Sequence, residues 1–301
     1  MAMKVKPHAQ AATVERKPRW IHRPVRCGSE LRAVEEILAG ERLNTVCVGA
    51  KCPNRGECYS AGTATFMIMG ERCTRNCGFC AVPAGGVGEL DPEEPTRVAK
   101  AATLLDLSHV VVTSVTRDDL PDGGAGHFAR TLEAIREVLP DATVEVLVPD
   151  FGGRMKDADV VLEAKPDVFN HNVETVKRLY GEARPQADYR RTLSVLERSA
   201  GAGLPTKSGF MVGLGETVEE VHELLGDLLN AGCRMVTVGQ YLQPTANNLP
   251  VARYWEPAEF AGLEKTALEI GFEAVASGPL VRSSYFAHEM FDAAIARGGR
   301  A

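Results

Sequence analysis

The chain has 301 residues, of which 45% are hydrophobic and 25% charged, and its formal net charge is −6. This composition supplies enough apolar material for a sizeable core and excludes a disordered chain. The excess of acidic residues argues against nucleic acid or an anionic membrane as a binding partner.

The N-terminal segment 1–26 is a basic arm that contains seven Lys or Arg and one acidic residue, Glu15. The arm is either a solubilising tail or a segment that meets an acidic protein partner. The start of the chain lacks the apolar segment of a secretory signal, and no run approaches the roughly 18 apolar residues of a membrane span. We therefore expect a cytoplasmic chain that makes no membrane contact.

Cysteines cluster next along the chain, because six of the eight fall between residues 47 and 80. In a reducing compartment such clustering indicates metal ligands rather than disulfides. The first set, Cys47, Cys52 and Cys58, has the spacing Cys-x4-Cys-x5-Cys. This spacing fits either a small zinc site completed by a distant His or Cys, or an iron–sulfur cluster.

After Gly62 the sequence alternates between strand-like and helix-like segments. The strand candidates are short, rich in Val, Thr or Phe, and bounded by Pro, Gly or Asp: they are 63–69, 109–115, 143–149, 166–172, 205–213 and 234–242. Amphipathic helices with one apolar face are predicted between and after them: they are 95–106, 126–139, 187–203, 216–232 and 256–271.

Six strand–helix units in succession predict an α/β fold with parallel strands and right-handed crossovers. Because six units do not close a full barrel of eight, we predict a partial (β/α)6 TIM-type barrel, with a doubly wound open sheet as the competing architecture. The expected organisation is an N-terminal extension (1–60), the barrel (61–272) and a C-terminal extension (273–301). The two extensions are predicted to cover the mouths of the barrel, and the site is expected at the carboxyl ends of the strands.

The second cysteine set, Cys73, Cys77 and Cys80, follows directly after the first predicted strand and therefore lies at that end of the barrel. Its spacing, Cys-x3-Cys-x2-Cys, differs from the paired Cys-x2-Cys halves of a zinc ribbon. It suits three corners of a [4Fe–4S] cube and leaves one iron open for a substrate or cofactor. Phe79, which directly precedes the last cysteine, is placed to shield the cluster edge.

These cysteines carry two resemblances. Cys-x3-Cys-x-aromatic-Cys after the first strand of a (β/α) barrel resembles the signature of the radical SAM superfamily. The segment 43–82, which holds both cysteine sets, resembles lipoyl synthase, and so do TSVTRDDLPDGGA, FNHNVETVKRLY, KSGFMVGLGET, GQYLQPT and GPLVRSSY. This second resemblance runs from about Lys17 to Glu289, nearly the whole chain.

The resemblance implies an enzyme that inserts two sulfur atoms, at carbons six and eight, into an octanoyl chain linked to a lysine of a carrier protein. Two [4Fe–4S] clusters and S-adenosylmethionine (SAM) are the implied cofactors. SAM would bind the open iron of the Cys73 set, where its reductive cleavage yields a 5′-deoxyadenosyl radical that removes hydrogen from an unactivated carbon. The cluster of the Cys47 set would be the auxiliary cluster that donates sulfur.

The implied partners are octanoylated lipoyl domains of 2-oxoacid dehydrogenase acyltransferase subunits, the H protein of the glycine cleavage system, and an electron donor such as flavodoxin or ferredoxin. We expect the chain to be a monomer, since neither an exposed heptad nor a long edge strand is evident. Two rival functions remain. One is another sulfur-inserting radical enzyme of the biotin-synthase kind, and the other is a zinc-stapled binding module.

By position in the RSSY motif, the resemblance implies Ser283 as the fourth ligand of the auxiliary cluster. A hard oxygen ligand on a soft iron centre is a reasonable exit point for a cluster that must release sulfide. Cys27 and Cys233 are rival fourth ligands. Cys27 lies just after the basic arm and matches no family motif, and Cys233 is expected to be a small buried hydrophobic residue.

The expected SAM contacts lie at the ends of strands two and four and on a later helix. Thr113 and Ser114 are expected to hold the methionine amino group, and Asn172 and Glu174 resemble a ribose-binding pair. Arg191 is expected to pair with the SAM carboxylate. Each of these residues also has an ordinary structural interpretation, either helix capping or a solvated side chain.

Two positions depart from the family pattern. Asn248 and Phe286 stand where many relatives are expected to have His. If either His aids proton transfer or substrate positioning, this chain does so differently.

Overall fold

The computed structural model describes residues 16–22 and 28–298, so Cys27 and most of the basic arm lie outside the described residues. The described chain forms one seven-stranded sheet in which all neighbouring strands are parallel. The strands are β1 (Thr65–Ile68), β2 (His109–Ser114), β3 (Thr143–Leu147), β4 (Val168–Asn170), β5 (Thr206–Val212), β6 (Met235–Gln240) and β7 (Ala274–Gly278).

Helices precede the sheet, connect its strands and follow it. They are α1 (Ser29–Gly40), α2 (Val46–Gly49), α3 (Arg55–Ser60), α4 (Glu94–Leu104), α5 (Ala125–Val138), α6 (Met155–Glu163), α7 (Tyr180–Ala183), α8 (Tyr189–Gly201), α9 (Val218–Asn230), α10 (Pro257–Ile270) and α11 (Ala287–Gly298). Within the described residues, no helix is both long and apolar enough to cross a bilayer.

The strands follow one another around the sheet in sequence order, from β1 to β7. This order excludes the doubly wound competitor, in which the strand order reverses at a switch point. Because β1 and β7 stand at opposite ends of the order and do not pair, the barrel is open. The predicted partial barrel is therefore confirmed, and all six predicted strands are present.

The seventh strand was not predicted from the sequence. It consists of AVASG, and Ala274 is its one fully buried residue, so it carries neither a continuous apolar run nor a clear alternation. It pairs with β6 from Met235–Ala274 through Gly239–Gly278. The strand begins just beyond residue 272 and therefore adds part of the C-terminal extension to the sheet.

Local sequence signals explain why the connecting helices form where they do. Helix α9 begins with a capping box, in which Thr217 and Glu220 each accept a hydrogen bond from the other's backbone N–H. Helices α4 and α5 bury apolar faces that include Val98, Phe128 and Leu132, each with no exposed surface. These faces join the buried sides of the first strands in one continuous core.

Helix α11 covers the amino end of the strands. Its Met290 and Ala294 pack against Val168, Met235 and Ala274, which are the first residues of β4, β6 and β7. The carboxyl end of the barrel is therefore the end at which a site can open.

A buried ion pair lies between β3 and β5. Lys207 Nζ is 2.9 and 3.0 Å from the two carboxylate oxygens of Glu145, and both side chains are 1% exposed. Asn170 Nδ2 donates to Glu145 Oε1 at 3.0 Å. Burial alone would raise the pKa of Glu145, but the charge of Lys207 lowers it below its usual value. The negative charge of Glu145 is thus stabilised inside the barrel.

Candidate active site

A cavity of about 480 Å³ opens at the carboxyl ends of the strands. Both cysteine sets line it, although they come from different parts of the architecture. The predicted site residues that line this cavity are Cys47, Cys52, Cys58, Cys73, Cys77, Cys80, Thr113, Ser114, Asn172, Glu174 and Ser283. Lys17, from the described part of the basic arm, lines it too.

The loop after β1 carries the Cys73 set and is tied to the barrel at several points. The Sγ atom of Cys73 accepts hydrogen bonds from the backbone N–H of Arg75 at 3.4 Å and from that of Thr116 at 3.2 Å. The N–H of Gly78 donates to the carbonyl of Ala183. Hydrogen bonds to cysteine sulfur are a regular feature of iron–sulfur sites, so this loop fits a cluster.

Arg75, which lies between two cysteines of this set, clamps the loop to its neighbours. Its guanidinium donates two hydrogen bonds to Asp118, at 2.7 and 2.8 Å, and one to Asp150 at 2.6 Å. Burial alone would raise the pKa of Asp150, but the Arg75 hydrogen bond and charge lower it to about 2. The loop after β1 is thereby fixed to the loops that follow β2 and β3.

Arg191 points to the same carboxylate and not into the cavity. Its Nη1 lies 3.3 Å from Asp150 Oδ2, and Arg191 is not among the residues that line the cavity. The buried, ionised Asp150 gives this arginine a partner within the protein. The predicted contact between Arg191 and the SAM carboxylate is therefore not favoured by the position of this side chain.

The Cys47 set is carried by the short helices α2 and α3, outside the sheet. Thr45 caps α2, and its hydroxyl also lies 2.8 Å from the hydroxyl of the buried Tyr59. Burial raises the pKa of Cys47 to about 11 and that of Cys58 to about 12. These thiols therefore require a positively charged partner, such as the irons of a cluster, to become thiolate ligands.

The segment that contains Ser283 docks directly on this set. Asn54 Nδ2 donates to the carbonyl of Leu280 at 2.6 Å, and Tyr285 Oη donates to Glu57 at 2.9 Å. Each contact joins residues more than two hundred positions apart in the chain. The fold therefore brings the segment that carries Ser283 against helix α3, which carries Cys58.

The rival fourth ligand Cys233 lies elsewhere. It has no exposed surface, packs in the core around α9 and β6, and does not line the cavity. Burial raises the pKa of its thiol. Cys233 is therefore a buried apolar residue, as expected.

Within the described residues, no three His, Cys, Asp or Glu side chains converge closely enough to bind one metal ion. The thiols of either set would therefore have to move before they could share a single ion.

The side-chain hydroxyls of Thr113 and Ser114, at the end of β2, differ in whether they are free to bind a ligand. The hydroxyl of Thr113 donates to the carbonyl of Leu147 at 3.0 Å. Ser114 Oγ is buried and has no hydrogen-bond partner in the part of the chain that the structure describes. Since a buried polar group without a partner is costly, Ser114 is the better candidate for a ligand contact.

Glu174 and Arg184 both line the cavity and interact electrostatically. Glu174 has a left-handed backbone with φ of 68°, and burial raises the pKa of its carboxyl, although the Arg184 charge opposes that rise. Arg184 Nη1 donates to the carbonyl of Asn172 at 3.0 Å and to Tyr180 Oη at 3.1 Å. Its Nε is buried without a partner among the described residues. Sequence reasoning missed Arg184, which lies in an irregular segment after α7.

His171 lines the same cavity, but both of its ring nitrogens have partners within the protein. Its ring nitrogens lie 2.7 Å from the carbonyl of Val148 and 3.3 Å from Thr192 Oγ1. Burial and the nearby Arg184 charge lower the pKa of His171 to about 4. The ring is therefore neutral near pH 7 and supports the backbone at the end of β3.

The neutral His171 predicts a pH-dependent stability for the metal-free protein. The unfolded chain binds a proton at this position below about pH 6.5, whereas the folded chain does so only below about pH 4. The contribution of the neutral His171 to the free energy of unfolding is therefore fully present above about pH 6.5. It falls by about 3 kcal/mol as the pH drops from there to about 4. Urea unfolding at several pH values would measure this loss. His171→Asn should flatten that part of the curve, and an unchanged slope would contradict the assignment.

The two departures from the family pattern have different surroundings. Asn248 Nδ2 donates to the carbonyls of Gly78 at 3.2 Å and Cys80 at 2.8 Å, so it supports the cysteine loop. Phe286 does not line the cavity; it is 44% exposed and has a left-handed φ of 49°.

Comparison with known proteins gives consistent matches. Residues 67–228 match the family model of the Radical SAM superfamily. The chain is 56% identical to a lipoyl synthase of Caldanaerobacter subterraneus over 286 residues, covering 94% of this chain and 99% of that protein. It is 54% identical to a lipoyl synthase of Rubrobacter xylanophilus over 275 residues, covering 91% of this chain and 86% of that protein.

Solved structures share the fold at low sequence identity. Methylornithine synthase matches with a TM-score of 0.53 and 14% identity, over 69% of this chain and 62% of that one. A maturase of the [FeFe]-hydrogenase matches with the same TM-score and identity, over 77% of this chain and 62% of that one. This chain thus spans somewhat less than two thirds of either solved chain, and the likeness concerns the fold alone.

Proposed function

Since this chain belongs to the lipoyl synthases, a family of radical SAM enzymes, we propose that one cavity holds both the SAM-cleaving centre and the source of sulfur. The enzyme inserts two sulfur atoms, at carbons six and eight, into a protein-bound octanoyl group. The observation that carries the proposal is that both cysteine sets and Ser283 line one cavity.

Membership of the radical SAM superfamily implies a [4Fe–4S] cluster and SAM. Cys73, Cys77 and Cys80 would hold that cluster, and its open iron would take SAM. When bound, the pair supplies the radical that attacks an unactivated C–H bond, which no side-chain base could deprotonate. The protein contributes a braced cysteine loop, a mostly apolar cavity wall and exclusion of water.

A second [4Fe–4S] cluster on Cys47, Cys52 and Cys58 would be the sulfur donor. Ser283 would complete it, and two contacts support this assignment because they dock the Ser283 segment on the stretch of chain that carries Cys52 and Cys58: Asn54 to Leu280 and Tyr285 to Glu57. Apolar residues of the cavity wall, such as Met67, Leu147 and Met211, suit an octanoyl chain that must reach both clusters.

SAM would contact the polar residues at the strand ends. We assign the methionine amino group to Thr113 and Ser114 and the ribose to Asn172 and Glu174, with Ser114 the most available of the four. For the SAM carboxylate we favour Arg184 over Arg191, because Arg184 lines the cavity and has a buried Nε without a partner among the described residues.

The assignment of the carboxylate predicts different effects for the two arginines. Arg184→Lys keeps the charge but loses the planar guanidinium, so the Kd for SAM should rise about tenfold, as for a charged hydrogen bond. The Arg191 side chain lies against Asp150 and not in the cavity. Arg191→Met should therefore change the Kd for SAM by less than about threefold. Anaerobic equilibrium dialysis would measure both. The reverse order of effects would restore Arg191 as the partner.

The remaining assignments concern partners and location. We propose that the acceptors are octanoylated lipoyl domains of 2-oxoacid dehydrogenases and the glycine cleavage H protein, and that flavodoxin or ferredoxin supplies electrons. The enzyme would act as a cytoplasmic monomer. The described part of the basic arm places Lys17 in the cavity wall, which suits a contact with the arriving carrier.

Metal analysis followed by a turnover assay tests the function. After anaerobic reconstitution we expect about eight irons per chain, from two four-iron clusters, and lipoyl formation on an octanoylated H protein. About four irons would keep SAM cleavage and contradict the sulfur-donor role. Zinc in place of iron would support a zinc-stapled module, and sulfur insertion into a free small molecule would favour the biotin-synthase kind.

A further inference from the structure

We propose that Asn172 is the positioning residue for Ser283, and that its side-chain amide holds the serine oxygen where the auxiliary cluster needs it. The inference rests on the proposed role of Ser283 as the fourth ligand. It adds to any contact that Asn172 makes with SAM, and it links the SAM end of the cavity to the sulfur-donor end.

The contact joins two distant parts of the barrel. Asn172 Nδ2 lies 2.7 Å from Ser283 Oγ, and Ser283 Oγ lies 3.0 Å from Asn172 Oδ1. Asn172 follows β4, whereas Ser283 follows β7, and 111 positions separate them. Both side chains line the cavity. The amide can therefore both donate to the serine oxygen and accept from its hydroxyl hydrogen.

Gly209, on β5, leaves the space in which this contact forms. A Cβ atom at Gly209 would lie 2.9 Å from Asn172 Oδ1 and 3.0 Å from Ser283 Oγ. The nearest atom would be Thr237 Oγ1 at 2.4 Å, and real Cβ atoms almost never come within 3.0 Å of another atom, so a larger residue would displace the side chains that meet here. The absence of a side chain at this position thus admits both groups to the same point of the barrel interior.

Asn172 is itself held in place, which a positioning residue requires. Its backbone carbonyl accepts a hydrogen bond from Arg184 Nη1 at 3.0 Å. The position of Asn172 is further fixed by the N–H of the following residue, Val173, which donates to Ser208 Oγ at 3.2 Å. The amide therefore reaches Ser283 from a fixed backbone rather than from a free loop.

The donor on Asn172 matters for a serine that binds iron. An unassisted serine side chain has three rotamers, of which one is suitable for any given contact. The amide N–H needs a lone pair on Oγ and not its hydrogen, so this hydrogen bond persists when the oxygen becomes a metal ligand. A donor to an anionic oxygen also forms a stronger hydrogen bond than a donor to a neutral one.

Loss of iron to a chelator, followed anaerobically in the reconstituted enzyme, tests the inference. Asn172→Ala should release the auxiliary irons, about four of the eight, about fivefold faster than the unchanged enzyme, as expected for one lost hydrogen bond. Ser283→Ala should release them at least as fast. Asn172→Asp should behave like Asn172→Ala or worse, because it replaces the donor by a second anionic oxygen.

A cysteine at position 283 separates positioning from a general structural effect. A thiolate binds iron without the amide donor, so Ser283→Cys should retain the auxiliary irons, and adding Asn172→Ala to it should cause no further acceleration. Equal acceleration in both backgrounds would overturn the inference, as would an unchanged rate for Asn172→Ala alone. An unchanged rate for Ser283→Ala would instead remove the proposed fourth ligand, and the inference with it.

Discussion

Cys77→Ala should abolish SAM cleavage, whereas Cys58→Ala should leave SAM cleavage in place and abolish lipoyl formation. Each substitution removes one thiol of a different set, and both thiols line the same cavity. Cleavage by Cys77→Ala should fall more than about 100-fold, since even changes around metal ligands commonly cost about 10–100-fold. Methionine and 5′-deoxyadenosine release, measured beside lipoylated carrier, distinguishes the two outcomes.

Cys233→Ala is the matched control, because Cys233 is buried in the core away from the cavity. It should retain both activities and all the iron. The independence of the two sets has a structural basis: the Cys73 loop is fixed by Arg75 to the barrel, and the Cys47 set is fixed by Asn54 to the C-terminal segment. Loss of SAM cleavage in Cys58→Ala would contradict that independence.

Lys207→Met should destabilise the metal-free protein by about 3–5 kcal/mol, because it leaves the Glu145 carboxylate buried without its partner. Asn170 continues to donate one hydrogen bond and His109 Nε2 lies 3.8 Å from the carboxylate, but neither replaces the two short contacts of Lys207. Urea unfolding would measure the change. The double variant Lys207→Met with Glu145→Leu should recover most of the loss, since two apolar residues need no polar partners.

The exposed pair Lys265–Glu269, one turn apart on α10, provides a control on the same chain. Its closest atoms are 3.7 Å apart and both side chains are more than half exposed. Lys265→Met should therefore change stability by less than about 0.5 kcal/mol. Equal effects at positions 207 and 265 would show that burial does not determine the strength of the first pair.

The strands that the sequence predicted correctly are those with strong β-forming residues. Each of strands β1 to β6 contains buried β-branched or aromatic residues. β7 lacked this signal because its residues are small and only partly buried. Its place in the sheet comes from pairing with β6, which is a tertiary interaction.

The residues of the candidate site likewise fall into those that local sequence patterns predicted and those that depend on the tertiary fold. Cysteine spacing is local, so both sets were found from the sequence, and the predicted barrel placed the Cys73 set at the carboxyl ends of the strands. The cavity that the two sets share is a result of the fold. Arg184 and the contact between Asn172 and Ser283 were not predictable. They depend on irregular segments that the fold brings together, and a charged residue in such a segment has the same sequence signature as a solvated one.

The two cysteine sets differ in what holds them. The Cys73 set stands on a loop that the barrel grips through Arg75, Asn248 and the Ala183 carbonyl, whereas the Cys47 set stands on two short helices outside the sheet. On the proposed function, the Cys47 set is the one whose cluster is consumed. Rebuilding the auxiliary cluster would then disturb only the two short helices outside the sheet. One enzyme molecule could therefore complete many turnovers while the cluster that binds SAM stays intact.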